Sequence, residues 1–302
     1  MKRKNKGIAL GMAAACSYGT NPLFALPLYA LGFQVNSVLF YRYIFAVILY
    51  GLWIVLYRKI SLKISLKEGG VLLFLGIMFS LSSLTLFSSY DYLGAGISST
   101  ILFVYPIFVA LIMSIFFKEK IAFKTIISIV LMVGGISLFY KSDNGETLSL
   151  YGLALVFASA LSYAVYMVAL KEINLIKRMQ FQKLTFYVML FGLLVYIVNS
   201  RFGADIQKIE TPFMLGCLLG LAVLPTIISL ETMTIAIKLI GPTMAAIIGA
   251  LEPVTAVFLG IIFFGEQMTF KIALGICLIL FSVFLIVINP KPKSVHLPKA
   301  KN

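Results

Sequence analysis

Charge is scarce in this chain. Of 302 residues only 25 are Lys or Arg and 11 are Asp or Glu, 12% in all, about half the usual share of a soluble domain. Apolar residues make up 61%. A water-soluble fold of this size would expose much of that surface, so the composition excludes a soluble enzyme and a disordered chain. Histidine occurs once, as His296 in the tail, and cysteine three times, at Cys16, Cys217 and Cys277. All three cysteines fall in apolar stretches, which excludes a secreted disulfide scaffold and suggests reduced packing residues. There is no HExxH, CxxC or paired-carboxylate constellation and no Gly-rich phosphate loop. An ATP-driven pump without a partner subunit and a membrane-embedded enzyme are therefore both disfavoured, and no metal or cofactor is expected.

Long apolar runs remain. A helix needs about 20 apolar residues to cross the hydrocarbon core. Ten such runs stand at 7–31, 35–57, 70–92, 95–117, 123–140, 150–170, 184–200, 213–237, 241–264 and 270–288. Their length and lack of alternation favour helices over a β-barrel. The expected fold is an all-α integral membrane protein of ten transmembrane helices. The basic start Lys2–Lys6 and Ala13-Ala14-Ala15-Cys16 resemble a lipoprotein leader, but the pattern recurs in the sixth run, so the first reads as a retained helix.

Charge placement gives orientation. With ten spans both termini share one side. That side takes Lys2, Arg3, Lys4, Lys6, Arg58, Lys59, Lys63, Lys67, Lys118, Lys120, Lys124, Lys171, Lys177, Arg178, Lys183, Lys238, Lys291, Lys293, Lys299 and Lys301. The other side takes Lys141, Arg201, Lys208 and Lys271, and Arg42 lies within a span. This bias predicts cytoplasmic termini. It also accounts for the net charge of +14 through anionic headgroups, with no nucleic-acid partner.

The halves repeat. A shift of 147 lays Gly94–Leu138 over Gly241–Leu285 without a gap, pairing Pro106 with Pro253, Glu119 with Glu266 and Phe123-Lys124 with Phe270-Lys271. A shift of 145 pairs Gly7, Ser17 and Tyr18 with Gly152, Ser162 and Tyr163. The expected units are 1–145 and 146–290, followed by a basic cytoplasmic tail, 291–302. Five spans per unit is an odd number, so the second unit would enter the bilayer inverted. Inverted repeats let a central site open alternately to either side.

These features resemble the drug/metabolite transporter superfamily, EamA type. The resemblance rests on the ten spans, the repeat, Pro106 and Pro253, and the closing Phe116-Phe117-Lys118-Glu119-Lys120 and Phe263-Phe264-Gly265-Glu266-Gln267. Lys118 stands where the family usually has a small residue. The resemblance covers roughly residues 7–288. It implies export of amino acids, related metabolites or drugs across the bacterial inner membrane, by alternating access, without naming a substrate. Within transport the alternative is a drug or lipid-precursor exporter. Outside it, the alternative is a membrane-embedded enzyme or a scaffold subunit.

Polar groups in hydrocarbon are costly and therefore informative. Glu252, mid-span, reads as a proton-binding or amine-binding carboxylate, or as a buried structural partner of Arg42. Arg42 reads as a clamp for a substrate carboxylate, as a snorkelling side chain, or as the neutraliser of a glutamate. Glu231 is a second candidate for proton coupling, or a hydrated group near the inner surface. Tyr18 and Asn21 in the first span, with Tyr163 and Tyr166 at the matched places and Tyr105 matched to Glu252, are expected along the substrate pathway or in simple packing. Pro22, Pro27, Pro106, Pro225 and Pro253 are expected helix breaks. Gly7 and Gly11, Gly94-Ala95-Gly96 and Gly249-Ala250 are expected at close helix contacts. Small-molecule substrate, protons and lipid are the expected partners; the oligomeric state stays open.

Overall fold

The computed structural model describes residues 2–93, 98, 101–138, 149–177, 179–264 and 269–288. Gly94-Ala95-Gly96, Arg178, Lys141, Gly265-Glu266-Gln267 and the tail with His296 lie outside the described residues.

The described chain is helical: α1 (Lys2–Tyr18), α2 (Asn21–Ala30), α3 (Val35–Leu52), α4 (Leu66–Leu93), α5 (Tyr105–Phe117), α6 (Phe123–Ser137), α7 (Leu150–Glu172), α8 (Phe181–Asn199), α9 (Pro212–Leu221), α10 (Ser229–Ile240), α11 (Pro242–Gly249), α12 (Leu251–Phe264) and α13 (Phe270–Ile288). A π turn, Trp53–Tyr57, extends α3, and a second, Ala222–Ile228, joins α9 to α10. Among the described residues six continuous runs are long and apolar enough to cross a membrane: Val35–Tyr57, Leu66–Ser89, Leu150–Glu172, Phe181–Asn199, Pro212–Ile240 and Pro242–Phe263. Tyr105–Phe117, Phe123–Ser137 and Phe270–Leu285 are shorter apolar helices. Many large apolar side chains point outward, Phe116, Phe123 and Phe270 among them, as in a fold solvated by lipid.

The helices are interrupted where proline removes a donor. Residues 7–31 form two helices rather than one. The break falls at Gly19–Thr20, just before Pro22, while Pro27 is accommodated inside α2. The Thr20 hydroxyl donates to the Ser17 carbonyl across the break (2.7 Å). Before Pro106 the chain turns at 103–104, where the Val104 amide donates to Ile101 at 3.0 Å. Before Pro253 it turns at Ala250, whose amide donates to Ile247 at 3.1 Å. Phe103 and Ala250 are 147 residues apart, so the two interruptions fall in matched register. Pro225 sits within the π turn, and the carbonyl of Leu221, four residues back, takes the Thr226 hydroxyl (2.8 Å) as its donor.

Packing follows an exchange pattern. α1 packs on α10 and α4 on α7; α1 packs on α11 and α12, and α7 on α5; α3 packs on the second π turn, and α8 on α4. α6 packs on α13, α3 on α8, and α5 on α11. Close approach at small residues permits this. Gly7 presses on Leu239 and Ile240, and Gly11 on Ile248. At the α4–α8 crossing, a methyl group added to Gly76 would lie 2.9 Å from both the Val188 carbonyl and the Gly192 amide. Backbone atoms cannot rotate aside, so Gly76→Ala is expected to cost about 1–3 kcal/mol. A fall of several degrees in the thermal midpoint of detergent-solubilised protein checks this; an unchanged midpoint rejects it. The three cysteines are free, as expected, but only Cys217 is buried. Cys16 and Cys277 are exposed, which corrects the packing role for those two, because they lie on outward helix faces.

Candidate functional site

At the centre, the interrupted helices enclose a cavity. Its walls come from α1 (Ala14, Ala15, Tyr18), α4 (Phe79, Ser82, Ser83, Leu86), α5 (Tyr105, with Leu102 just before it), α7 (Tyr163), α10 (Ser229, Met233), α11 (Gly249) and α12 (Glu252). The water-accessible space is ≈ 40 Å³. That holds water but not a metabolite, so a substrate would require the walls to part.

Glu252 stands in the first turn of α12, placed there by the break at Ala250. It is the one charged residue lining the cavity among the described residues. Opposite it, Tyr105 opens α5, and its hydroxyl donates to the Ala246 carbonyl in α11 (3.1 Å). Gly249 makes this approach possible: a methyl group there would overlap the Tyr105 hydroxyl. Tyr163 meets the edge of Tyr105 with ring centroids 4.9 Å apart, and Phe79 lies 6.2 Å from Tyr163. Tyr18, Tyr163, Ser82, Ser83 and Ser229 also line it, and among the described residues no cation does.

Tyr166 departs from the pathway expectation. It is buried behind Tyr163 and Phe79, outside the cavity lining, with its hydroxyl toward Thr234. Asn21 also lies outside the cavity; its side chain holds Arg42.

Arg42 does not snorkel and forms no close ion pair among the described residues; its charge reaches Glu252 only through space. It is buried (4% exposed), and among the described residues no carboxylate lies within 4.0 Å. Its guanidinium is spent on neutral acceptors. Nε donates to the Thr226 hydroxyl (2.5 Å), Nη1 to the Asn21 amide oxygen (3.1 Å) and Nη2 to the Pro225 carbonyl (3.1 Å). The Tyr18 ring covers it, 5.4 Å from centroid to Cζ. The physical reason is the second π turn, which turns a backbone carbonyl and a hydroxyl toward α3. Ser17 adds a further tie from α1 to the same turn, its hydroxyl donating to Leu224 (2.6 Å).

Glu231 lies in the first turn of α10, away from the cavity. It faces the Tyr50 hydroxyl. Pro106 is buried in the first turn of α5 and Pro253 half-buried in that of α12.

Sequence reasoning passed over Gln207. Its amide donates to the Ser37 hydroxyl (3.0 Å) and its side chain to the Gly32 carbonyl (3.1 Å). Its side-chain oxygen accepts from the Gln34 amide (2.5 Å), and its carbonyl from the Tyr41 hydroxyl (3.0 Å). It clasps the turn between α2 and α3 to the segment before α9. Polar loop residues carry no contrast in an apolar chain; a search for paired aromatics at a shift of 146 would have found Tyr41.

Comparison with known proteins agrees with this architecture. A chain in a solved crystal structure superposes over 93% of this chain and 96% of its own, with a TM-score of 0.78 at 15% identity, which shows a common fold. A Bacillus subtilis protein, the uncharacterized transporter YcbK, is 26% identical over 80% of this chain and 79% of its own. An uncharacterized transporter of Archaeoglobus fulgidus is 26% identical over 62% of this chain and 65% of its own. The EamA-like transporter family model matches twice, over residues 5–141 and 150–288. Matched over nearly all of its length, the chain belongs to the EamA-like family of the drug/metabolite transporter superfamily and is a multi-span membrane transporter, not an enzyme.

Proposed function

We propose that this transporter exports amino acids or related amine-bearing metabolites by alternating access around Glu252. Ten spans in two inverted repeats, 1–145 and 146–290, with both termini and the 291–302 tail cytoplasmic, form the working unit in a bacterial inner membrane. The observation that carries the reading is the cavity. It lies where broken helices of both halves cross, lined among the described residues by one carboxylate and several hydroxyl-bearing residues, with the nearest cation, Arg42, behind the Tyr18 ring. Such a site suits an ammonium group. Exchanging α1, α4, α5 for α7, α10, α11–α12 maps the lining onto itself, and the packing pairs obey the same exchange, which supports inversion. A carboxylate with so little water holds either a cationic ligand or a proton, and that alternation couples the two fluxes. Glu231 would relay protons from the Tyr50 side.

The test uses liposomes holding the purified protein and a mixed pool of amino acids and small metabolites. Efflux is followed by mass spectrometry with and without a pH gradient. Selective loss of amine-bearing compounds, faster with the gradient, is expected. Selective loss of anions, or of none, from folded protein defeats the reading.

A further inference from the structure

α3 and α8 carry one motif 146 residues apart: Phe40-Tyr41 with Phe45, and Phe186-Tyr187 with Phe191. The geometry repeats as well. Phe40 and Tyr41 meet edge-on at 5.5 Å and 78°, Phe186 and Tyr187 at 5.3 Å and 76°. Tyr41 stacks on Phe45 at 5.8 Å and 28°, Tyr187 on Phe191 at 5.7 Å and 27°. Each hydroxyl then leaves its own helix. Tyr41 donates to the carbonyl of Gln207, and Tyr187 to the carbonyl of Leu62. Gln207 and Leu62 are themselves 145 residues apart, in non-helical segments that both continue Lys-Ile. Each half thus lays one tyrosine on the connecting segment of the other.

The two bonds lie at opposite ends of the molecule. α3 and its π turn, Val35–Tyr57, separate the Gln207 contact near the start from the Leu62 segment beyond the end, a rise of about 35 Å. α8 runs antiparallel beside α3: Lys183 and Tyr187 reach the 62–63 segment, while Asn199 reaches Asn36. The cavity lies between, with room only for water.

We propose that Tyr41 and Tyr187 are paired gate latches, one for each membrane face, and that transport requires them to release in turn. The proposal rests on the alternating-access reading above. Each latch is a hydroxyl on a carbonyl in a non-helical segment, and neither completes a helix, so releasing it leaves the helices intact. The ends differ in reinforcement. The Tyr41 end adds the three other bonds of Gln207, whereas the Tyr187 end adds the Lys183 ammonium on the Lys63 carbonyl. Both latches are closed here, which describes the occluded state.

The test reads distance, not flux. In a background with Cys16, Cys217 and Cys277 replaced by Ser, spin labels are placed at exposed Leu31 and Ala204 for one end, and at exposed Ser61 and Gln180 for the other. Pulsed dipolar spectroscopy in lipid nanodiscs, without substrate, follows both pairs. Tyr41→Phe keeps the ring contacts and is expected to raise the open-to-closed ratio at the 31–204 pair about three- to tenfold, leaving the 61–180 pair closed. Tyr187→Phe is expected to do the reverse, and the double variant to lengthen both. Unchanged distances in both variants, or lengthening of the same pair by each, overturns the proposal. Because no substrate is present, an unmutated protein that fails to move amines counts against the transport reading alone.

Discussion

Glu252→Gln is expected to abolish gradient-driven efflux and to weaken binding of an amine substrate by about 10- to 100-fold, the worth of a charge-assisted hydrogen bond in a dry site. The substitution keeps volume and hydrogen-bonding capacity while removing both charge and proton uptake. Glu252 is the sole charged residue lining the cavity among those described, so no neighbour in the wall substitutes for it. The sharper readout is pH. Efflux by the unmutated protein should vary between about pH 6 and 8, and the variant should be flat across that range. A variant with unchanged kinetics and unchanged pH dependence removes Glu252 from the mechanism, and Glu231→Gln then becomes the next substitution to measure.

The second large effect concerns stability. Arg42→Ala deprives the Asn21 side chain and the Pro225 carbonyl of their donor in a buried site, at about 1–3 kcal/mol for each group. A loss of about 5–10 °C in the thermal midpoint is expected. Arg42→Lys should recover little of it, since one ammonium cannot reach three acceptors that a planar fork reaches together. Differential scanning fluorimetry of the solubilised variants decides the matter. If instead Arg42→Lys keeps the midpoint and raises the substrate KM, the guanidinium serves the substrate and the bonding reading fails.

Much of this was legible from residue types. The apolar stretches were legible as helices because bilayer thickness sets a length that composition displays directly, and six described runs are long enough to cross. The interruptions ahead of Pro22, Pro106 and Pro253 were legible because a missing amide is written in the sequence. Tyr18, Tyr105, Tyr163 and Glu252 were legible as polar groups in apolar runs at repeat-matched places, and the structure gathers all four. What stayed hidden depends on backbone register. Nothing in Pro225-Thr226 announces a π turn, and without that turn Arg42 has no visible partners, so a clamp, a snorkel and an ion pair all looked open. Tyr166 sits one helical turn beyond Tyr163, and Asn21 lies past the break that follows Tyr18; a helical rotation takes the first out of the cavity and the break takes the second. Phe-Tyr-x-x-x-Phe was readable, but in a chain where aromatics are 14% it does not stand out.

The bonds of Arg42 bear on how the molecule can rock. A kinked helix invites the picture of a joint, and two irregular places lie against α3 here: the Gly19–Thr20 break and the π turn at Ala222–Ile228. Arg42 rivets both to α3 with three bonds, and Ser17 adds a fourth fastening. Irregular segments fastened in this way cannot flex separately; they travel as one block, and their bends are its fixed shape. Movement is left to the seams this block shares with its surroundings, and to the connecting segment before α9 that Tyr41 holds against α3. The α5–α11 crossing is such a seam, where a single tyrosine hydroxyl spans to one carbonyl and glycine keeps the surface smooth. On the alternating-access reading proposed above, the prolines of this protein would set the shape of the rocking block, and the glycine-faced crossings would be where it slides.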